Sequence, residues 1–430
     1  MKKTGWFILF CALFLTVNLW ILSKGDMGLV RQYPFKSLGQ ITALLGTVLI
    51  SFEFFLAARL KFMENWFGGL DKVYHAHRLI GGSGFALIIY HPLFLIVNAL
   101  PNIKAAMNFV LPSSILSYDY GLLAFYAMFV LIFLTFYVKL PYRIWKISHI
   151  FMGVPLVFML MHMLFISSDI SNYMPLRYWI LGISFLSLAA YIYKRFLYTR
   201  FGPRHEYIIT QVRQVESVTE IVMKPVWKKL EYQAGQFAFI SFENKWLSRE
   251  KHPFTIASSP DDETLRFAIK SLGDYTNKLE VVRAGDRVAV FGPYGQFGEK
   301  ANTSLKDQVW IAGGIGVTPF LSLAKYLSVR GNTGNITVYY CIKNMNEAMY
   351  AEELSRATAN PKFKILNFCS DVDGRINTET IVKQSGDPKD KLILLCGPGG
   401  MTSALSQDFE NRYHVPRRNI IFEEFSFLGT

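Results

Sequence analysis

The sequence predicts a chain of two unlike parts: a six-helix, all-α membrane domain, then a soluble module in which an antiparallel β-barrel precedes an α/β domain. Three observations predict it. Six apolar runs, near residues 6–22, 38–58, 78–99, 119–138, 147–167 and 176–193, are each long enough to cross a hydrocarbon core of about 30 Å as a helix. Past about Arg200 the pattern turns short, alternating and turn-rich, as in YIITQVRQV, SVTEIVM, GQFAFISF, LRFAIKS and DRVAVFGPYG, which reads as antiparallel strands closing into a barrel. After Asp307 strand-like and helix-like stretches alternate through VWIAGGIGVTPFLSLAKYL, ITVYYCIK, FKILNFCS and KLILLCGPGGM, so a parallel sheet with crossover helices is expected.

The first run follows MKK, as a signal peptide would, but no small-x-small cleavage site closes it and five more runs come after. An uncleaved first helix is expected. Basic residues orient the set. Lys2, Lys3, Arg59, Lys61, Lys72, Arg78, Lys139, Arg143, Lys146, Lys194, Arg195, Arg200 and Arg204 fall on one side, against Lys24, Arg31, Lys36, Lys104 and Arg177 on the other. Both termini and everything after Arg200 are therefore expected in the cytoplasm, with the chain a multi-pass protein of the cell membrane. The net charge of +13 does not point to nucleic acid, because many of the cations flank spans where anionic headgroups account for them. The lipid bilayer is the partner this charge predicts. Four cysteines, Cys11, Cys341, Cys369 and Cys396, lack paired or CxxC spacing, so neither a disulfide framework nor a zinc site is indicated.

In the soluble part, an apolar strand runs into Gly313, Gly314 and Gly316 and then opens a helix at Thr318-Pro319. Glycines let the backbone approach a pyrophosphate, and the helix amino terminus offers free N–H groups to its charge. A plain strand-to-helix turn has the same composition. A second strand-end loop, Cys396-Gly397-Pro398, strengthens the nucleotide reading, since both loops would lie at carboxyl ends of parallel strands. Upstream, HPFTIASSP (His252 to Pro260) follows a strand-like run. Its hydroxyls suit flavin edges or phosphate oxygens and Phe254 could cover a ring face, although an ordinary barrel turn reads alike.

The order of motifs carries more than any one of them. HPFTIASSP, SLGDYT, GPYGQF, GGIGVTPF, CGPGGM and an aromatic carboxyl terminus, behind six spans with paired histidines, resemble the NADPH oxidase and ferric reductase superfamily, in particular a single-chain prokaryotic-type NADPH oxidase. The resemblance covers nearly the whole chain. It implies a six-helix transmembrane bis-haem domain over residues 1–200, followed by a ferredoxin-NADP-reductase-like module with an FAD-binding β-barrel over 201–304 and an NAD(P)H-binding α/β domain over 305–430. It further implies that His252, Pro253, Phe254 and Thr255 contact FAD, with Gly273 and Thr276 near the flavin phosphates. The glycine loop and Cys396-Gly397-Pro398 would bind the nicotinamide nucleotide. A terminal aromatic would cover the flavin ring and move for hydride transfer; Phe427 fits the spacing, with Phe425 as the alternative. Lys343, in YYCIKN, matches the basic residue that holds the 2′-phosphate of NADPH in relatives. A lysine is a point charge without the fork of arginine, so NADPH is favoured and NADH stays possible.

Of eight histidines, His75, His77, His91, His149 and His162 lie in or beside spans three and five. Ionisable residues in a bilayer are costly and mark function, and neutral imidazole is a common axial haem ligand. Both spans run in the same direction. The 14 residues from His77 to His91 rise about 21 Å and the 13 from His149 to His162 about 20 Å, giving ligands at two matching depths. His77 with His149 is expected to hold an inner b-type haem, and His91 with His162 an outer one. Helical phase agrees on one span only: at about 100° per residue, 14 steps return within some 40° of the starting face, while 13 miss it by about 140°. Pro155, with Gly153 beside it, could change the local winding of span five. His75 competes for the inner position but sits nearer the water and off the face of His91.

The expected activity is transmembrane electron transfer from NADPH through FAD and two haems to molecular oxygen outside, giving superoxide. A ferric chelate is the alternative acceptor. Short outer loops with only Asp26, Asp119 and Asp169 as acids suit oxygen better than a chelate. Against it, some eukaryotic oxidases carry a histidine where this chain has Leu95. No EF-hand loop is present, and no obligatory protein subunit is evident. A proton-conducting membrane module regulated by the reductase, or a haem protein feeding a periplasmic partner, are the remaining readings.

Overall fold

The computed structural model describes residues 3–330 and 334–424. The chain divides into two compact units, Met1–Arg200 and Phe201–Thr430, at the change of character near Arg200.

The first unit is helical. Its principal helices are α1 (Thr4–Lys24), α2 (Pro34–Ala57), α3 (Leu70–Ala99), α4 (Leu116–Phe136), α5 (Tyr142–Ile150), α6 (Gly153–Phe165) and α7 (Met174–Ile192). They supply six segments long and apolar enough to cross a membrane, with α5 and α6 together forming the fifth. α3 starts eight residues before the apolar run, because Leu70, Val73 and Ala76 are buried at helical spacing although Asp71, Lys72 and His75 lower the local hydropathy. Gly68, in the left-handed region, and Gly69 at φ +130° make the turn into it.

α2 and α3 pack closely through small residues. A Cβ on Gly46 would stand 3.3 Å from the carbonyl of Gly84, and one on Gly39 would stand 3.3 Å from the carbonyl of His91. Such pairs let backbones approach where no hydrophobic effect drives helices together. Large apolar side chains such as Phe129, Phe133 and Phe136 on α4 are exposed on the outer surface of the bundle, as lipid requires and water would penalise.

Span five is broken at Phe151-Met152, not merely kinked. Pro155 has no N–H to give the carbonyl of Phe151, which instead accepts from Val154 at 2.8 Å. The carbonyl of Ile150 is left without its helical donor, and the Tyr191 hydroxyl from α7 donates to it at 3.0 Å. Gly153 makes this possible: a Cβ there would stand 2.2 Å from the Tyr191 ring.

The second unit opens with a six-stranded antiparallel sheet of β1 (Arg204–Val215), β2 (Val218–Pro225), β3 (Phe237–Phe242), β4 (His252–Thr255), β5 (Leu265–Lys270) and β6 (Arg287–Tyr294), in the order β4-β3-β6-β1-β2-β5. A bridge between Ile256 and Phe267 joins the two edges, so the sheet curls into a barrel around Tyr207, Ile221, Phe242 and Phe267. The following sheet is parallel, with β7 (Gln308–Gly313), β8 (Ile336–Ile342), β9 (Phe363–Cys369), β10 (Leu392–Gly397) and β11 (Ile420–Glu424) in the order β11-β10-β7-β8-β9. Helices α8 (Thr318–Arg330), α9 (Thr378–Ser385) and α10 (Gly399–Asn411) belong to it. Along β7, Trp310 and Ala312 join one core with Phe320, and Val309 and Ile311 join the other with Phe409. A strand buried on both faces explains its unbroken apolar run. The chain winds outward through β8 and β9, then returns to the other side of β7 for β10 and β11. The crevice of this sheet therefore lies between the ends of β7 and β10.

Candidate active site

Two pairs of imidazoles stand between α3 and the broken span five. The ring centroids of His77 and His149 are 6.0 Å apart with planes crossing at 82°, and those of His91 and His162 are 6.4 Å apart at 62°. His75 is exposed, so it is His77 that stands opposite His149. The break at Phe151-Met152 supplies the phase correction that an unbroken helix lacks: His149 ends α5, and His162 lies on a separately wound α6.

The rings are oriented from outside their own helices. His91 Nδ1 is 2.8 Å from the carbonyl of Gly39 on α2, and His162 Nδ1 is 2.7 Å from the carbonyl of Ser117 on α4. A carbonyl accepts only, so both rings carry their proton on Nδ1 and present the Nε2 lone pair. His77 Nδ1 lies 2.6 Å from Glu53 Oε2. His149 stacks on Trp145, with centroids 5.4 Å apart and planes at 10°, and its buried Nδ1 has no hydrogen bond among the described residues.

These pairs fit haem. With a metal–nitrogen distance of about 2 Å and a ring centroid about 1 Å behind the nitrogen, two imidazoles on one metal put their centroids roughly 6 Å apart. Among the described residues no three His, Cys, Asp or Glu side chains cluster as a metal site. A bare ion would be under-coordinated by two imidazoles, whereas a macrocycle fills the remaining positions.

In the barrel, His252, Pro253, Phe254 and Thr255 form the short strand β4 along β3. His252 stacks on Tyr275 with centroids 3.8 Å apart, and burial pushes the Tyr275 phenol up to about 12. The Thr255 hydroxyl is buried without a hydrogen-bond partner among the described residues. An unmet buried hydroxyl is costly, and the polar edge of a flavin is one group that would satisfy it. Thr276 closes its own turn: its hydroxyl accepts from the Leu272 and Gly273 N–H groups at 2.9 and 3.0 Å and donates to the Gly273 carbonyl at 3.1 Å. Sequence reasoning missed Tyr232 and Ser322. The Tyr232 hydroxyl donates to the Ser259 carbonyl at 2.7 Å, and Ser322 on α8 donates to that of Ser258 at 2.6 Å, tying HPFTIASSP to the glycine-loop helix.

The two nucleotide loops meet backbone to backbone. A Cβ on Gly316 would stand 2.3 Å from the Cys396 carbonyl, and one on Gly397 would stand 2.9 Å from the Gly313 Cα. Gly314, at φ +53°, has open space where its Cβ would be. Thr318 caps the turn into α8 by donating to the Ile315 carbonyl at 3.1 Å, and Pro319 follows in its first turn. Pro398 precedes α10. The Cys396 thiol is raised well above its usual range by burial, with Glu423 adding to it, so it is a packed neutral group and not a nucleophile. Lys343 is exposed one residue past β8, on the side of β7 away from β10. Phe427 and its alternative Phe425 lie outside the described residues.

Comparison with known families agrees part by part. The ferric reductase like transmembrane component matches residues 42–161, the FAD-binding domain 207–298 and the oxidoreductase NAD-binding domain 310–407. In this order the three matches make up the domain set of the NADPH oxidase and ferric reductase superfamily. The chain is 33% identical over 114 residues to Dual oxidase 2 of Sus scrofa, a match covering 24% of this chain and 7% of that one. It is 25% identical over 242 residues to Flavohemoprotein A of Dictyostelium discoideum, covering 52% of this chain and spanning only 60% of that relative's length. In fold, it resembles the crystal structure of flavohemoglobin from Malassezia yamatoensis at a TM-score of 0.52 and 19% identity, over 91% of this chain and 98% of that one. The chain thus joins an FAD-binding domain and an oxidoreductase NAD-binding domain to six membrane-length helices.

Proposed function

We propose that the protein carries electrons across the cell membrane from cytoplasmic NADPH, through FAD and two b-type haems, to molecular oxygen on the outer side, releasing superoxide. The observation that carries this reading is the pair of imidazole couples between the same two spans, one residue set some 21 Å along α3 from the other. When bound, FAD supplies the conversion of a two-electron hydride into single electrons, and haem iron accepts electrons singly.

The chain's own residues do the rest. The backbone of Gly314 and Gly316 and the amino terminus of α8 bind the dinucleotide phosphates, while Lys343 takes the 2′-phosphate. Thr255 and Phe254 orient the flavin, and the terminal aromatic gates the nicotinamide. His77 with His149 holds the inner haem and His91 with His162 the outer. An electron leaving a negative interior gains about 2.3 kcal/mol per 100 mV, so the outward direction suits the membrane potential.

The same path could end on a ferric chelate, an acceptor consistent with the ferric reductase like membrane component. One experiment separates the two. The detergent-purified protein is reduced with NADPH anaerobically while haem absorbance is followed; oxygen with a superoxide probe, or a ferric chelate, is then admitted. Superoxide formed as the haem reoxidises supports the oxidase. Rapid reoxidation by the chelate alone moves the assignment to a metal reductase, and a spectrum without haem removes the membrane half of the reading.

A further inference from the structure

His77 and His91 of α3 each take their Nδ1 neighbour from α2, but the neighbours differ in kind. Positions 39, 46 and 53 of α2 face positions 91, 84 and 77 of α3, so the two helices run antiparallel in register with a seven-residue step. Seven residues return within about 20° of the same face, which keeps one seam in contact. At one end the seam offers His91 the neutral carbonyl of Gly39. At the other it offers His77 a carboxylate, Glu53 Oε2 at 2.6 Å.

Glu53 is placed there by the packing. It is 8% exposed, and its Oε1 is buried without a hydrogen bond among the described residues. Gly81, one turn beyond His77, leaves it room, since a Cβ there would stand 2.9 Å from Oε2. The carboxylate approaches obliquely to the ring N–H, so the contact is a close polar one and not an in-line hydrogen bond. A carboxylate inside a membrane run is costly to keep and marks a role.

We infer that Glu53 is a positioning residue that fixes His77 through Nδ1 and holds the His77–His149 site at a lower reduction potential than the His91–His162 site. The inference rests on the reading that these pairs bind haem. A carboxylate beside an axial imidazole makes the ligand more basic, and its charge, poorly screened in a buried site, favours the oxidised metal, which carries the additional positive charge. The Gly39 and Ser117 carbonyls are dipoles and do this less. Electrons delivered to the inner site would then pass outward downhill.

The test is an anaerobic redox titration of the full-length, haem-loaded protein in detergent, followed at the reduced-haem band. The wild type is expected to reduce in two resolved steps. Glu53→Gln should keep two haems per chain and raise the lower step toward the upper one, with a changed low-spin ferric resonance for one haem only; Glu53→Asp should restore part of the separation. Should Glu53→Gln lose haem, Gly81→Ala decides, because it displaces the carboxylate without removing it and should raise the lower step likewise. A titration of Glu53→Gln that superimposes on the wild type, or in its place an unshifted Gly81→Ala, overturns the inference alone. A wild type that binds no haem overturns the reading beneath it.

Discussion

The His91–His162 pair and the His77–His149 pair use the same residue type on the same spans, yet they are held by different means. In the first, both rings are tied by Nδ1 to backbone carbonyls of helices other than their own, Gly39 on α2 and Ser117 on α4. In the second, one ring meets a carboxylate and the other is steadied by the Trp145 ring face, with its Nδ1 unbonded among the described residues. Backbone carbonyls cannot be removed by a side-chain change and fix one tautomer. Side-chain partners can be tuned. The difference teaches that identical side chains become inequivalent through their neighbours, and in the proposed electron path that inequivalence would supply direction.

The largest expected effect comes from removing a ligand. His91→Ala or His162→Ala should cut bound haem by about half while NADPH-to-dye transfer by the soluble unit survives; full haem content in both variants would remove the ligand assignment. Next, Gly121→Val should disturb only the carbonyl-anchored pair, because a Cβ at Gly121 would stand 2.9 Å from His162 Nδ1. Overpacking of this kind costs about 1–3 kcal/mol, and the resonance of the His77–His149 site should stay in place. If both sites shift together, the pairs are not independently held.

Trp145→Leu addresses the other pair. It should loosen His149 by about 0.5–1.5 kcal/mol, the range of an aromatic contact, seen as altered spectroscopy of one haem with the His91–His162 signal preserved. Tyr191→Phe withdraws the hydroxyl from the Ile150 carbonyl at the break and should cost about 1 kcal/mol in thermal stability. An unchanged melting curve would mean that the break is held by Pro155 alone. Smallest for the haem pairs, and a control for both, is Thr255→Val, which should weaken FAD retention about fivefold, roughly 1 kcal/mol, and leave both histidine pairs untouched.

Much of this was legible before any coordinates. Span lengths follow from hydropathy, and the strand-to-glycine-to-helix pattern at Gly313–Pro319 gains its meaning from the second strand-end loop at Cys396-Gly397-Pro398. The paired histidines could be counted off by rise. What the sequence could not show was how 13 steps on span five bring His149 and His162 into line, because Gly153 and Pro155 permit many local windings. The Tyr191 hydroxyl, coming from a helix some 40 positions away, selects one. Tyr232 and Ser322 were invisible for a similar reason: each acts on the backbone of a segment distant in sequence.

Glu53 is the instructive omission. It is the one ionisable residue in the run 38–58, a signal that sequence alone supplied. Its partner was another matter. Composition and periodicity determined that this chain has six membrane-length helices, a barrel and a parallel sheet, since those properties depend on each segment's own solvation and backbone geometry. Only the tertiary structure decided that Gly39 and Glu53 stand against His91 and His77, because that depends on the register in which two helices pack, and a register is set by small residues on both surfaces at once.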